Sequence, residues 1–285
     1  MHFLYRLDMR HETRDTRILT PQIKRMLMCH TTGLSMAQLL AEPNLQLTDE
    51  QQEWFDNATA RLEKNEPLQH ILGYSEFYGR KFKSDSRALV PRPETEELVE
   101  WILNDWSTLN PQRSTLNLLD IGTGTGCIAL SIAKELPEAK VSALDISKEA
   151  LSLARENANI LEVKNVDFIE GDILNKSFNS QLSTFNLIVS NPPYVRECEK
   201  AEMEANVLDY DPHTALFVSD EDPLIFYRAI AEFALTHLAP NGALYFEINQ
   251  YLGRETCDLL IALGYKNVEL RKDINDNPRM IKATL

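Results

Sequence analysis

Leu118-Leu119-Asp120-Ile121-Gly122-Thr123-Gly124-Thr125-Gly126 decides the fold of this chain. Its first half is apolar apart from Asp120, and with Leu116 and Asn117 in front it reads as a buried strand. Its second half is a glycine-rich turn, and Cys127 to Leu136 beyond it read as a helix. A strand, a glycine turn and a helix in that order form the first unit of an α/β domain. Three alternate glycines let the backbone pass close beneath a ligand.

Working outward, the alternation continues. Lys140 to Asp145 reads as a second strand, Lys148 to about Leu161 as a helix, Val166 to Ile169 as a third strand and Phe185 to Ser190 as a fourth. A long helix, Pro223 to Leu238, leads through Pro240-Asn241-Gly242 to a fifth strand, Ala243 to Ile248. Thr256 to Leu263 is helical, and Val268 to Leu270 with Met280 to Leu285 close the chain as an antiparallel pair. The expected class is therefore α/β with a mainly parallel sheet.

Upstream the pattern changes. Ile23, Met26, Leu27 and Leu34, then Met36, Leu39 and Leu40, recur at roughly helical spacing. Thr48 with Gln51 three residues later marks another helix start, and that helix runs through Trp54, Phe55, Ala58 and Leu62 to a stop at Glu66-Pro67. Leu72 to Phe82 has the aromatic and turn residues of a hairpin, and Pro91 to Glu97 place proline and acids where a helix begins. Three regions follow: a helical part over 1–75, a hairpin linker over 76–95, and the α/β domain over 96–285.

Composition narrows the partners. The chain has 285 residues and a net charge of −14, from 43 acidic against 29 basic residues. Such a surface repels phosphate backbones, which disfavours a direct nucleic-acid substrate. The four cysteines (Cys29, Cys127, Cys198, Cys257) lie far apart with no histidine at ligand spacing, so neither a metal site nor a disulfide framework is expected. Met1 to Arg17 is charged and has no apolar leader core, and no apolar run has membrane-span length. A cytoplasmic protein is expected.

Two further elements give the glycine turn a ligand. Asp145, 19 residues after Gly126 at the end of the second strand, is placed to accept hydrogen bonds from both ribose hydroxyls, although a helix N-cap fits the position too. Asp172, in Glu170-Gly171-Asp172-Ile173, is placed for an adenine amino group, with a turn as the alternative. The G-x-G-x-G spacing differs from the dinucleotide fingerprint, and a nucleoside sulfonium needs no phosphate site and tolerates acids such as Asp120. S-adenosylmethionine fits those demands. Finally, Asn191-Pro192-Pro193-Tyr194 ends the fourth strand in a stiff corner of acceptors beside an aromatic ring, suited to a planar –NH2 group.

With these elements in this order the chain resembles class I S-adenosylmethionine methyltransferases that modify planar amino groups. Glu66-Pro67-Leu68-Gln69-His70-Ile71-Leu72-Gly73 and Leu89-Val90-Pro91-Arg92-Pro93-Glu94-Thr95-Glu96 further resemble the linker signatures of the release factor glutamine methyltransferases. The resemblance implies a Rossmann-like fold of seven strands behind a helical N-terminal domain. It implies methylation of N5 of the glutamine in the Gly-Gly-Gln loop of class 1 peptide release factors. Gly122, Thr123, Gly124, Thr125, Gly126, Asp145, Asp172, Ile173 and Asn191 would then hold the cofactor. Asn191 and Pro192 would accept the two substrate N–H bonds, Pro193 would keep the corner rigid, and Tyr194 would pack against the amide plane. The chain departs from the family pattern at Asp211, Asn249 and Ile173, where glutamate, glycine and an aromatic are common. Three other readings use parts of the same pattern: an adenine methyltransferase acting on DNA or RNA, a glutamine methyltransferase of a ribosomal protein, and a non-catalytic adaptor.

Overall fold

A computed structural model describes residues 19–109, 115–175 and 183–285; the charged Met1–Arg17 stretch lies outside them. The described chain separates into two compact units. One runs to Gly73 and takes in Glu204–Tyr210; the other comprises Tyr74–Met203 and Asp211–Leu285.

The first unit is helical: α1 (Pro21–Thr32), α2 (Met36–Ala41), α3 (Asp49–Leu62), α4 (Leu68–Leu72) and, later in the chain, α8 (Ala205–Tyr210). The apolar pattern that crosses Leu34 in sequence is broken by Gly33, whose φ of 72° ends α1. Thr48 and Gln51 form the reciprocal capping box expected from their spacing, as do Ser35 and Gln38 ahead of α2. The α4 helix is an addition to the sequence reading. It is a single turn between Pro67 and the left-handed Gly73, too short to carry a periodic pattern.

The second unit opens with the hairpin β1 (Tyr74–Phe77) and β2 (Arg80–Lys83), turned by Tyr78 and Gly79 at φ 48° and 69°. Then come α5 (Pro93–Leu109), β3 (Asn117–Ile121), α6 (Cys127–Glu135), β4 (Lys140–Asp145), α7 (Lys148–Ile160), β5 (Val166–Glu170) and β6 (Phe185–Ser190). Two-residue strands β7 (Val195–Arg196) and β8 (Phe217–Val218) pair in parallel apart from the main sheet. The chain closes with α9 (Ile225–His237), β9 (Leu238–Glu247), α10 (Gly253–Ala262), β10 (Lys266–Lys272) and β11 (Pro278–Thr284).

Seven strands form one sheet in the order β10-β11-β9-β6-β3-β4-β5. Only β11 runs against the other six strands, pairing antiparallel with both β9 and β10. This is the mainly parallel α/β sheet expected from the alternation, with the seven strands that the family resemblance implies. The fifth large strand starts at Leu238, earlier than Ala243. Phe185 pairs with Leu238 but Leu187 with Ala243, so the Pro240-Asn241-Gly242 corner bulges within the strand rather than preceding it.

Buried side chains fill both faces of the sheet. Leu98, Trp101 and Ile102 of α5 and Ile128 and Ile132 of α6 pack with Leu118 and Val141 on one face. Tyr227, Ile230 and Phe233 of α9 pack with Leu119, Ile188 and Phe246 on the other. Each such side chain contributes roughly 1.5–3 kcal/mol on burial. Strands covered on both faces read as continuous apolar runs, which is why β3 and β6 were conspicuous in sequence.

Candidate active site

Strand order reverses at β3, whose neighbours are β4 on one side and β6 on the other. In open α/β sheets the crevice at the carboxyl ends of such strands is where ligands bind. A cavity of about 440 Å³ lies there, within the usual range for a small-molecule site. Its wall includes the glycine loop, Asp145, Asp172, Ile173 and Asn191 to Pro193. Residues far apart in sequence are thus assembled in one place.

The glycine loop is held tightly. The N–H groups of Gly122 and Thr123 donate to the Leu144 carbonyl at 2.8 and 3.0 Å, and that of Gly126 donates to the Thr123 carbonyl at 2.8 Å. The Gly124 N–H donates to Oδ2 of Asp145 at 2.8 Å. Four of the loop's N–H groups are therefore committed within the protein. A loop that spends its amides on its own chain is no phosphate cradle, and this suits a cofactor without phosphate.

The three glycines have different duties. Gly122 and Gly124, at φ 74° and 56°, face the cavity, and a Cβ on Gly122 would have only the Asn191 carbonyl oxygen, at 4.0 Å, in reach. Gly126 stands outside the cavity lining. A Cβ there would meet Leu130 Cδ1 at 2.9 Å and Ala154 Cβ at 3.2 Å, so its bareness lets α6 and α7 pack. Thr123 and Thr125 line the cavity but are almost fully buried, and the Thr123 hydroxyl donates to Asp120 at 2.7 Å. Asn157 of α7 secures the loop from behind: its Nδ2 donates to the carbonyls of Thr125 (3.0 Å) and Lys83 (3.2 Å), and its Oδ1 accepts the Lys83 N–H at 2.6 Å.

Asp145 does not cap α7; Ser147 does, through its hydroxyl, which accepts the Ala150 N–H at 3.1 Å. Asp145 accepts one backbone N–H on each oxygen, from Gly124 and from Ser147 at 2.9 Å. Each oxygen keeps acceptor capacity toward the cavity. Burial pushes its carboxyl above the usual range, against the pull of those hydrogen bonds. Asp120, fully buried beneath the loop, is pushed up to about 7 by desolvation, and its Oδ1 has no partner. Asp172 serves partly as a turn residue, with Oδ1 accepting the Leu174 N–H at 2.8 Å.

On the β6 side the Ser190 hydroxyl donates to the Ile121 carbonyl at 2.6 Å, joining the two strand ends. Asn191, Pro192 and Pro193 line the cavity, but Tyr194 does not. Its ring packs against the α9 side of the core and its hydroxyl donates to Oε1 of Glu247 at 3.1 Å. Glu247, 1% exposed at the end of β9, accepts the Thr95 hydroxyl on Oε2 at 2.5 Å. Thr95 Oγ1 in turn lies 3.4 Å from Nδ2 of Asn191. Burial raises the Glu247 carboxyl, while Thr95, Arg279 and Tyr194 draw it back. This relay joins residues 95, 191, 194 and 247, which no local pattern connects; in sequence Glu247 was only one residue of the fifth strand.

Comparison with known proteins decides the family. Residues 112–284 match a model described as a methyltransferase domain, and residues 21–73 match the PrmC N-terminal domain. A release factor glutamine methyltransferase of Flavobacterium psychrophilum is 49% identical over 88% of this chain and 86% of its own length. The chain belongs to the release factor glutamine methyltransferase family. The Bacteroides thetaiotaomicron member is 45% identical over 92% of this chain and 91% of its own. A methyltransferase from Pyrococcus furiosus shares the fold, with a TM-score of 0.52, 21% identity, and coverage of 80% of this chain and 98% of the other.

As a member of that family the chain is an S-adenosylmethionine-dependent methyltransferase. The cavity suits this cofactor on its own terms, with a loop whose amides are already committed, a carboxylate with spare acceptor capacity, and apolar walls that include Ile146, Phe217 and Phe226. The two aromatics escaped the sequence reading because they lie 44 or more residues beyond Ile173. Among the described residues no group of three or more His, Cys, Asp or Glu side chains is placed to hold a metal, and no helix is long and apolar enough to cross a membrane.

Proposed function

We propose that this chain methylates N5 of the glutamine in the Gly-Gly-Gln loop of a class 1 peptide chain release factor. The carrying observation is the meeting of Asn191-Pro192-Pro193 with the glycine loop and Asp145 in one cavity at the β3–β6 switch point. The family relationship and the two linker signatures supply the substrate class.

S-adenosylmethionine supplies an electrophilic methyl group on its sulfonium. Asp145 accepts from the ribose hydroxyls, Gly122 to Gly124 keep the loop surface bare, and Asp172 with Ile173 serves the adenine edge. A carboxamide nitrogen is a weak nucleophile because its lone pair is delocalised, so orientation and electrostatics carry the reaction. The Asn191 side-chain oxygen and the Pro192 carbonyl accept the two N–H bonds and aim the nitrogen, while Pro193 stiffens the corner. The amide proton leaves after transfer, so no strong base is required beforehand. Tyr194 acts from outside the cavity, through Glu247.

In this reading the helical first unit recognises the release factor, and the enzyme works in the cytoplasm on protein rather than nucleic acid, in keeping with the net charge of −14. The test is incubation with S-adenosylmethionine and a purified class 1 release factor, followed by mass spectrometry of the Gly-Gly-Gln peptide. A gain of one methyl group on the glutamine is expected. An unmodified glutamine under conditions where the cofactor binds would overturn the reading.

A further inference from the structure

An asparagine side chain has nearly the same shape when its oxygen and nitrogen are exchanged, so its location alone does not say which atom faces a substrate. At Asn191 that choice matters. An oxygen toward the cavity accepts an N–H from an incoming amide, whereas a nitrogen opposes it with a donor.

The surroundings of Asn191 settle the direction. Glu247 offers two oxygens, each facing a hydroxyl, and in the ionised form that those hydroxyls and Arg279 favour against burial it only accepts. Oε1 takes the Tyr194 O–H and Oε2 takes the Thr95 O–H at 2.5 Å. The buried Thr95 hydroxyl has one proton, and the carboxylate claims it. What Thr95 then shows to Asn191, at 3.4 Å, is an acceptor, and the Asn191 atom that satisfies it is the donor Nδ2. Oδ1 is thereby turned away from Thr95. A chain of three side chains converts the buried charge of Glu247 into an orientation at the cavity wall.

We propose that Thr95 and Glu247 are positioning residues that set the polarity of Asn191, so that the cavity receives its oxygen rather than its nitrogen. The inference rests on the function proposed above, in which Asn191 accepts an N–H of the glutamine amide. Thr95 itself lines the cavity beside Asn191; in this proposal it acts through Asn191, and Glu247 acts through Thr95.

Two substitutions separate this role from packing. Thr95→Ser keeps the hydroxyl and loses a methyl group; Thr95→Val keeps the shape and loses the hydroxyl. Turnover on a release factor and the dissociation constant of S-adenosylmethionine are measured for each. With polarity at stake, Thr95→Val lowers kcat about 10- to 100-fold and Thr95→Ser stays within about threefold, because misorientation at a reacting centre carries penalties of that order. Cofactor affinity stays within about twofold in both, since neither change touches the groups assigned to the ribose or the adenine.

Glu247→Gln adds a second arm. Its amide keeps only one acceptor where the carboxylate had two, which weakens the hold on the Thr95 proton and with it the bias on Asn191. The double variant Thr95→Val with Glu247→Gln then loses little more than Thr95→Val alone, as expected of residues acting in one chain. Ser losing as much as Val, Val retaining full turnover, or additive losses in the double variant would each overturn the proposal. If the unsubstituted chain binds the cofactor yet leaves the glutamine unmodified, the functional reading itself fails and the inference falls with it.

Discussion

Gly124 donates its backbone N–H to Oδ2 of Asp145 at 2.8 Å, so the loop leaving β3 is fastened to the end of β4. A residue first noted as a ribose acceptor is also a strut of the loop. Asp145→Asn replaces one acceptor by a donor at that point. Hydrogen bonds to charged groups contribute about 1.5–3 kcal/mol, so the dissociation constant of S-adenosylmethionine should rise about 10- to 100-fold. Calorimetric titration measures it, and an unchanged constant would remove Asp145 from the cofactor site. Because burial holds the Asp145 carboxyl above the ordinary aspartate range, cofactor affinity should also fall on acidification at a higher pH than an exposed aspartate would give.

In the proposed reaction Asn191→Ala removes the acceptor assigned to the substrate amide but leaves the loop and Asp145 intact. Turnover should drop about 10²- to 10³-fold, the usual cost of losing one preorganised polar group at a reacting centre. Cofactor affinity should hold. Single-turnover kinetics alongside calorimetry separates the two effects, and a parallel loss of both would contradict the assigned role.

Asp120 makes a pH-dependent claim on stability. Its folded-state carboxyl is pushed up to about 7, chiefly by desolvation, from an ordinary value of 3.8. Between those limits the folded protein binds more protons than the unfolded chain, so stability is lost as pH rises through the interval. Without cofactor, the protein should lose on the order of 2–3 kcal/mol between pH 5 and 8 relative to the Asp120→Asn variant. Urea unfolding of both proteins at the two pH values gives the difference; parallel curves would mean that Asp120 is not strained by its burial.

Gly126→Ala should act on stability more than on binding. The added Cβ crowds Leu130 and Ala154 and sits at φ 81°, a conformation that costs an alanine energy. Overpacking of this kind costs about 1–3 kcal/mol. Thermal unfolding should shift down while residual cofactor affinity in the folded fraction persists. A stable variant that no longer binds would place Gly126 at the cofactor instead.

Much of the molecule was legible in one dimension. The apolar runs of β3, β4 and β6 announced themselves because both sheet faces are covered, and the capping box at Thr48 and Gln51 is a contact between residues three apart. Single-turn α4 and the two-residue strands β7 and β8 are too short to leave a periodic signal. The bulge at Pro240–Gly242 escaped because turn residues look alike whether they precede a strand or interrupt it.

The glycine spacing, Asp145, Asp172 and the Asn191-Pro192-Pro193 corner are local patterns whose chemistry follows from residue type and position along the chain, so the sequence alone determined the α/β class, the cofactor and the stretch proposed to meet the substrate. Which way Asn191, Tyr194, Thr95 and Glu247 face is a different matter, because it depends on partners 53 to 152 residues away. Folding removed Tyr194 from the cavity wall and gave it to Glu247, moved the helix cap from Asp145 to Ser147, and reserved Gly126 for helix packing. It also tied Asn191 through Thr95 to a carboxylate on β9. Hydrogen-bond direction is set by whichever donors and acceptors the sheet order makes neighbours, and only the tertiary structure supplies that order.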